Sequence, residues 1–148
     1  MNLIKNHPFF MGMLPKHVDL IVEGAKQAEY DADHILFREG EPANQFYLIE
    51  SGMVALEADG PRKESAPIQM VGDGELLGWS WLFPPFTWHF SARAVKSTQA
   101  IVLNGGHLLV LCEEDHDLGF DVMRRIAQVF IARMEATSKK LLVTTCKD

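Results

Sequence analysis

The chain has 148 residues, an apolar fraction of 47%, a charged fraction of 23% and a formal net charge of −6. Length and composition fit one globular domain with room for a real core. A duplex-binding domain needs a basic face to neutralise phosphates, and no basic cluster here exceeds Arg62-Lys63, Arg124-Arg125 and Lys139-Lys140, which argues against direct DNA binding.

In chain order, residues 7–12 read as a short apolar turn. Residues 14–28 have a helical period, with Leu14, Val18, Ile21, Val22 and Ala25 on one face and Pro15 suited to a first helical position. The period then changes to two. Strands are predicted at 34–37, 45–50, 53–59, 67–71, 88–95 and 99–104, punctuated by REGEPAN (38–44), Ser51-Gly52, the tip at 59–65 and GDGE (72–75). Short strands at such regular spacing argue for an antiparallel roll, sandwich or barrel. Helix returns at 106–115 and, at length, over 117–142. There Phe120, Met123, Ala127, Phe130, Met134 and Leu141 fall on one seam with only Thr137 polar, and Val122, Ile126 and Val129 widen the stripe. The expected fold is mainly β with flanking helices. It is an antiparallel β-roll or jelly roll over 30–105, between an N-terminal helical part (1–29) and C-terminal helices (106–142), all one domain over 1–148.

Catalytic and metal chemistry find no support. The six histidines are scattered, without the HxH or HxxxH spacing of a metal-binding roll, and no GxSxG or Cys-His motif occurs. Cys112 and Cys146 lie outside any CxxC pattern, so neither zinc nor a disulfide framework is indicated, and a reducing cytoplasm is the simplest setting. Cys112 falls in an apolar helix and is expected to be buried and inert. No run of about 18 apolar residues could cross a bilayer, and the start MNLIKNHPFFMGMLP is too interrupted for a secretory signal.

The unusual stretch is GELLGWSWLFPPFTWHFSARA (74–94), which holds all three tryptophans, Trp79, Trp81 and Trp88. Phe83, Phe86 and Phe90 surround them, about a Pro84-Pro85 pair. Such a cluster is either a plug of core or the lining of a cavity for a flat or apolar ligand, with Ser80, Ser91 and the indole N–H groups as polar contacts.

Three segments carry a family resemblance: FREGEPANQFYLIESGMV (37–54), with Gly40, Glu41, Phe46, Tyr47, Leu48, Ile49 and Gly52; GDGELLG (72–78); and SARAV (91–95). Together with the long last helix, they resemble the cyclic nucleotide-binding domain of the catabolite-activator type, also found in nucleotide-regulated kinases and channels, over nearly the whole chain. Asp33 stands where that family usually has glycine, and Asp tolerates a positive φ better than most residues. The resemblance implies a cyclic nucleotide or another small effector, held by a cassette that maps onto Leu77, Gly78, Trp79, Ser80, Trp81, Phe90, Ser91, Ala92 and Arg93. Gly78, Ser91 and Ala92 match the family pattern. Trp79 takes the place of the glutamate that binds the ribose, and Phe90 that of the arginine that binds the phosphate. Losing one partner of a buried charge pair costs about 3–5 kcal/mol, or roughly two to four decades of affinity. Arg93 shares a strand face with Ser91 and is either a stand-in cation or a residue facing solvent or an acidic neighbour. Glu75, four residues before the acidic position, is a weak substitute or a turn decoration.

In such relatives the last helix forms a dimer and leads into a DNA-binding unit, whereas this sequence stops after TTCKD. Either the regulatory function is exerted through partners, or the chain is a fragment or a stand-alone sensor; the resemblance implies an effector-sensing regulator that signals through its C-terminal helix, to a second copy or to a protein partner. The dimer residues would be Phe120, Met123, Ala127, Phe130 and Met134. The alternative is a ligand-free protein-interaction module whose pocket Trp79 and Phe90 fill.

Overall fold

The computed structural model describes residues 2–57, 69–78 and 86–146, with side chains described over 4–135 of these. The N-terminal part holds α1 (Asn2–Lys5), a 3-10 helix (Pro8–Phe10) and α2 (Pro15–Ile21). Pro15 opens α2 where its missing N–H costs nothing. The helix is much shorter than the period over 14–28 suggests. Gly24, at φ 77°, turns the chain, and Lys26–Tyr30 become β1, paired antiparallel with the end of the roll from Lys26↔Val102 to Tyr30↔Thr98. Ala25 had matched the helical phase by coincidence.

The remaining strands are β2 (Ile35–Phe37), β3 (Gln45–Ser51), β4 (Met53–Glu57), β5 (Gln69–Gly72), β6 (Leu76–Leu77), β7 (Ser91–Ala94) and β8 (Thr98–Asn104). Among the described residues they form two four-stranded antiparallel sheets, ordered β1-β8-β3-β6 and β2-β7-β4-β5. The expected β-roll is therefore present, with α3 (Gly105–Glu114) and α4 (His116–Cys146) after it. The polar tip at 59–65 lies outside the described residues. β7 starts later than the pattern over 88–95 suggests, because the peptide groups of Trp88 bond a turn instead. The Gly40 N–H donates to Trp88 O and the Trp88 N–H to Glu41 O, both at 2.9 Å.

One sheet is buried on both faces, and period two divides it between two cores. Phe46 and Leu48 of β3, Leu76 of β6, and Ile101 and Leu103 of β8 join the helices in one cluster, with Ile4, Phe9, Phe10, Val18, Ile21, Leu108, Leu118, Val122 and Ile126. Their neighbours Tyr47, Ile49, Leu77 and Ala100 turn the other way. They fill the roll with Phe37, Val54, Leu56, Val71, Trp88 and Ala92. α3 and α4 pack closely at Gly119, where a Cβ would lie 2.7 Å from the Cys112 carbonyl oxygen. Asn104 caps α3 by accepting from the His107 N–H at 2.9 Å. No described helix is long and apolar enough to cross a membrane.

Candidate functional site

The roll interior is organised by β7. Its ladder sets Leu56 opposite Ala92 and Val54 opposite Ala94, and these four share the inner face. Ala55 and Glu57 oppose Arg93 and Ser91, so those two face outward. Phe90, one step before β7, has the inner parity and packs, half-buried, against the interior cluster.

A row of rings crosses this interior. Trp88 stacks on Phe37 with centroids 3.7 Å apart and planes within 14°. Phe37 stacks on Tyr47 at 5.8 Å. Tyr47 meets Tyr30 edge-on at 6.5 Å, and Tyr30 lies 5.2 Å from His34. Burial, helped by the neighbouring Tyr30, pushes the Tyr47 hydroxyl up to about 12, so it stays protonated. That hydroxyl donates to Gln45 Oε1 at 3.3 Å. At the other end, the six-membered ring of Trp88 closes on Gly78. A Cβ at Gly78 would lie 2.9 Å from Trp88 Cη2 and 3.0 Å from Cζ3, and the backbone φ there is 93°. Only glycine serves at that corner while Trp88 occupies it.

The turn over 38–44 lies across this end of the roll. Its hydrogen bonds run to the chain around Trp88 and β7. The Ala43 N–H donates to Phe86 O at 2.7 Å, and the Glu39 N–H donates to Ser91 Oγ at 2.9 Å. Glu41 accepts from the Arg38 N–H within the turn itself at 3.0 Å.

Arg93 takes the place beside acidic neighbours. Its guanidinium donates to both Glu57 oxygens, at 3.2 and 3.0 Å, and to Asp33 Oδ1 at 3.2 Å. The Glu57 contact first, and Asp33 behind it, hold the arginine's pKa above its usual value. As a stand-in cation for the interior it would have to leave both carboxylates and cross the sheet. Asp33 does adopt a positive φ, 73°. Glu75 decorates its turn, accepting from the Gly72 N–H at 2.7 Å.

Of the nine cassette residues expected from sequence, Trp79, Ser80 and Trp81 lie outside the described residues. Leu77, Gly78, Phe90 and Ala92 gather around the roll interior, whereas Ser91 and Arg93 sit on the opposite face of β7. Of the aromatic cluster weighed as plug or lining, Trp88 and Phe90 are the members that the described residues bring to the interior, and Trp79, the other residue of the filled-pocket alternative, lies outside them. The available signal was parity, since Trp88, Phe90 and Ala92 are spaced by two. Among the described residues no group of three or more His, Cys, Asp or Glu is placed to hold a metal. Cys112 is half-buried, and burial, then Glu113, pushes its thiol up, so it is no activated nucleophile.

α4 divides the expected seam. Phe120 and Met134 are each 68% exposed, Ile131 is 55% exposed, and Ala127 is exposed beside them. Met123 and Phe130 instead lean, half-buried, on the helical core. The free stripe is thus Phe120, Ala127, Ile131 and Met134. Ile131 was absent from the expected set, and Leu141 lies outside the described side chains.

Residues 27–115 match the profile of the family described as cyclic nucleotide-binding domain. The chain is 27% identical over 129 residues to the cyclic AMP receptor protein of Thermus thermophilus, covering 84% of this chain and 60% of that protein. It is 21% identical over 132 residues to a CRP-like cAMP-activated global transcriptional regulator of Mycobacterium tuberculosis, covering 89% and 57%. The chain therefore spans about three fifths of the length of these relatives. In fold it is similar to a cyclic nucleotide-binding domain from Methylobacillus flagellatus, with a TM-score of 0.78 at 24% identity, covering 97% of this chain and 80% of that one.

Proposed function

The chain belongs to the cyclic nucleotide-binding domain family, and from that premise we propose that it is a regulatory, effector-sensing domain that has exchanged the anion grip of its roll for aromatic bulk. The observation that carries this reading is the Trp88–Phe37 stack closed against Gly78. The inner face of β7 offers Ala92 and Ala94, with Phe90 just before it, while Arg93 is engaged outside by Glu57 and Asp33. A phosphodiester anion seated there would lose water without gaining that cation. The effector is then a weakly held cyclic nucleotide or a flat, less charged molecule. The same stack favours a second reading, in which the roll binds nothing and serves as a protein-interaction module. Both readings use α4 as the output, its stripe of Phe120, Ala127, Ile131 and Met134 pairing with a second copy.

A ligand with micromolar Kd, supplied at millimolar concentration, stabilises its protein by about 4 kcal/mol, which for a domain of this size raises Tm by roughly 10 °C. With cAMP or cGMP at that concentration the expected rise is below about 2 °C. A saturable rise with a micromolar midpoint would return the anion grip to the roll and overturn the proposal. Light scattering over a concentration series should give a dimer that Phe120→Glu with Met134→Glu converts to monomer. A strict monomer in the unmodified chain removes helix pairing.

A further inference from the structure

α4 is fastened to the rest of the chain at two heights. Near its start, Arg125 is paired with Asp121 at 2.7 Å and donates to the carbonyls of Phe9 and Met11, each at 2.7 Å. About two turns further on, Arg133 donates to the carbonyl of Leu76. Between them Ile126 and Val129 pack on the helical core.

The two grips hold different things. Arg125 holds the 3-10 turn, whose Phe9 and Phe10 are part of the helical core. Arg133 holds β6, a two-residue strand that among the described residues lies at the edge of its sheet, paired through Tyr47↔Leu77 and Leu48↔Leu76. Leu76 faces the helices and Leu77 faces the roll interior. The next residue is Gly78, on which the Trp88 ring rests. A shift at that glycine corner moves the acceptor of Arg133 almost directly. Burial draws the Arg133 guanidinium below its usual range, with Glu75 opposing the change. A desolvated cation that leans on one carbonyl is held only while that carbonyl stays in place.

We infer that Arg133 is a positioning residue, a latch that ties the C-terminal half of α4 to the glycine corner of the roll through the Leu76 carbonyl. The inference rests on the reading of α4 as the output element, and it assigns the hydrogen-bonded link between β6 and α4, beside their apolar packing, to one side chain.

The test is amide hydrogen exchange on the full chain without any effector, comparing the unmodified protein with Arg133→Met, which keeps an apolar stem for packing. Exchange over residues 130–135 and at Leu76–Gly78 should quicken about tenfold or more, while 118–126 stays within about twofold. Arg133→Lys, which keeps a donor, should recover part of the protection in both segments. Uniform acceleration along the chain would make Arg133 a general stabiliser and overturn the latch, and so would unchanged exchange in either segment. Because no effector is present, failure of the nucleotide titration leaves this result standing, and the reverse also holds.

Discussion

Gly52→Ala is expected to lower the unfolding free energy by about 4 kcal/mol, the sum of backbone strain and overpacking at a site that can relieve neither. Gly52 joins β3 to β4 at φ 125°, a conformation that L side chains rarely adopt. A Cβ there would lie 2.4 Å from Thr98 Oγ1 and 2.6 Å from Thr98 Cα. The Cα cannot rotate aside. Thr98 is itself fully buried, accepting from the Met53 N–H at 3.3 Å and donating to Lys96 O at 2.8 Å, so any retreat breaks the start of β8. The Gly52 N–H also donates to Asp73 Oδ1 at 2.7 Å, fixing the turn from the other side. Gly24→Ala is the control. Its φ is 77°, but nothing lies within 4 Å of the added carbon, so the expected loss is about 1 kcal/mol of backbone strain alone. Urea unfolding of the two variants, read at constant m, separates the terms. Equal losses would mean that contact with Thr98 contributes nothing. Against a total of about 5–15 kcal/mol for a natural domain, a loss of this size removes a large share of the stability.

The roll was legible because its turns carry glycines at positive φ and its strands carry the branched and aromatic residues that pleated, buried surfaces favour. β1 was not. KQAEY has the exposure of an edge strand and lacks an apolar alternation; pairing with β8 recruits it. β6 is too short to have a period at all. In QFYLIE every residue from Phe46 to Ile49 is buried, because β3 lies between the helices and the roll. Nothing in that run says which ring faces the interior, so Tyr47 was invisible as a member of the site. Arg93 was read correctly as sharing a face with Ser91, but its carboxylate partners Glu57 and Asp33 are distant in sequence. The choice of inner face waits on the pairing of β4 with β7. On α4 a strict seven-residue count drifts by about 20° per heptad against a straight helix. That drift accompanies the division of the seam, with Met123 and Phe130 against the core and Ile131 in the exposed stripe.

Trp88→Ala tests the claim that the plug is this ring. Replacing a buried tryptophan by alanine costs about 3–5 kcal/mol, and here the cavity would open between Phe37 and Gly78. The sharper expectation is a coupling. In the unmodified chain Gly78→Ala meets the indole at 2.9 Å as well as the strain of φ 93°; with Trp88 already removed only the strain remains. The double variant should therefore be less destabilised than the sum of the singles by about 1–3 kcal/mol. Strict additivity would place the Trp88 ring away from the glycine corner in solution and remove the physical basis of the plug. An apolar cavity of this kind stays dry and accepts small apolar ligands, so free indole should raise the Tm of Trp88→Ala in a saturable way and leave the unmodified chain unchanged. Rescue by indole, with none by cAMP, would mean that this end of the roll selects a flat neutral ring over an anionic diester. Rescue by cAMP at similar concentration would mean that the anion grip survives elsewhere in the roll and that Trp88 merely covers it.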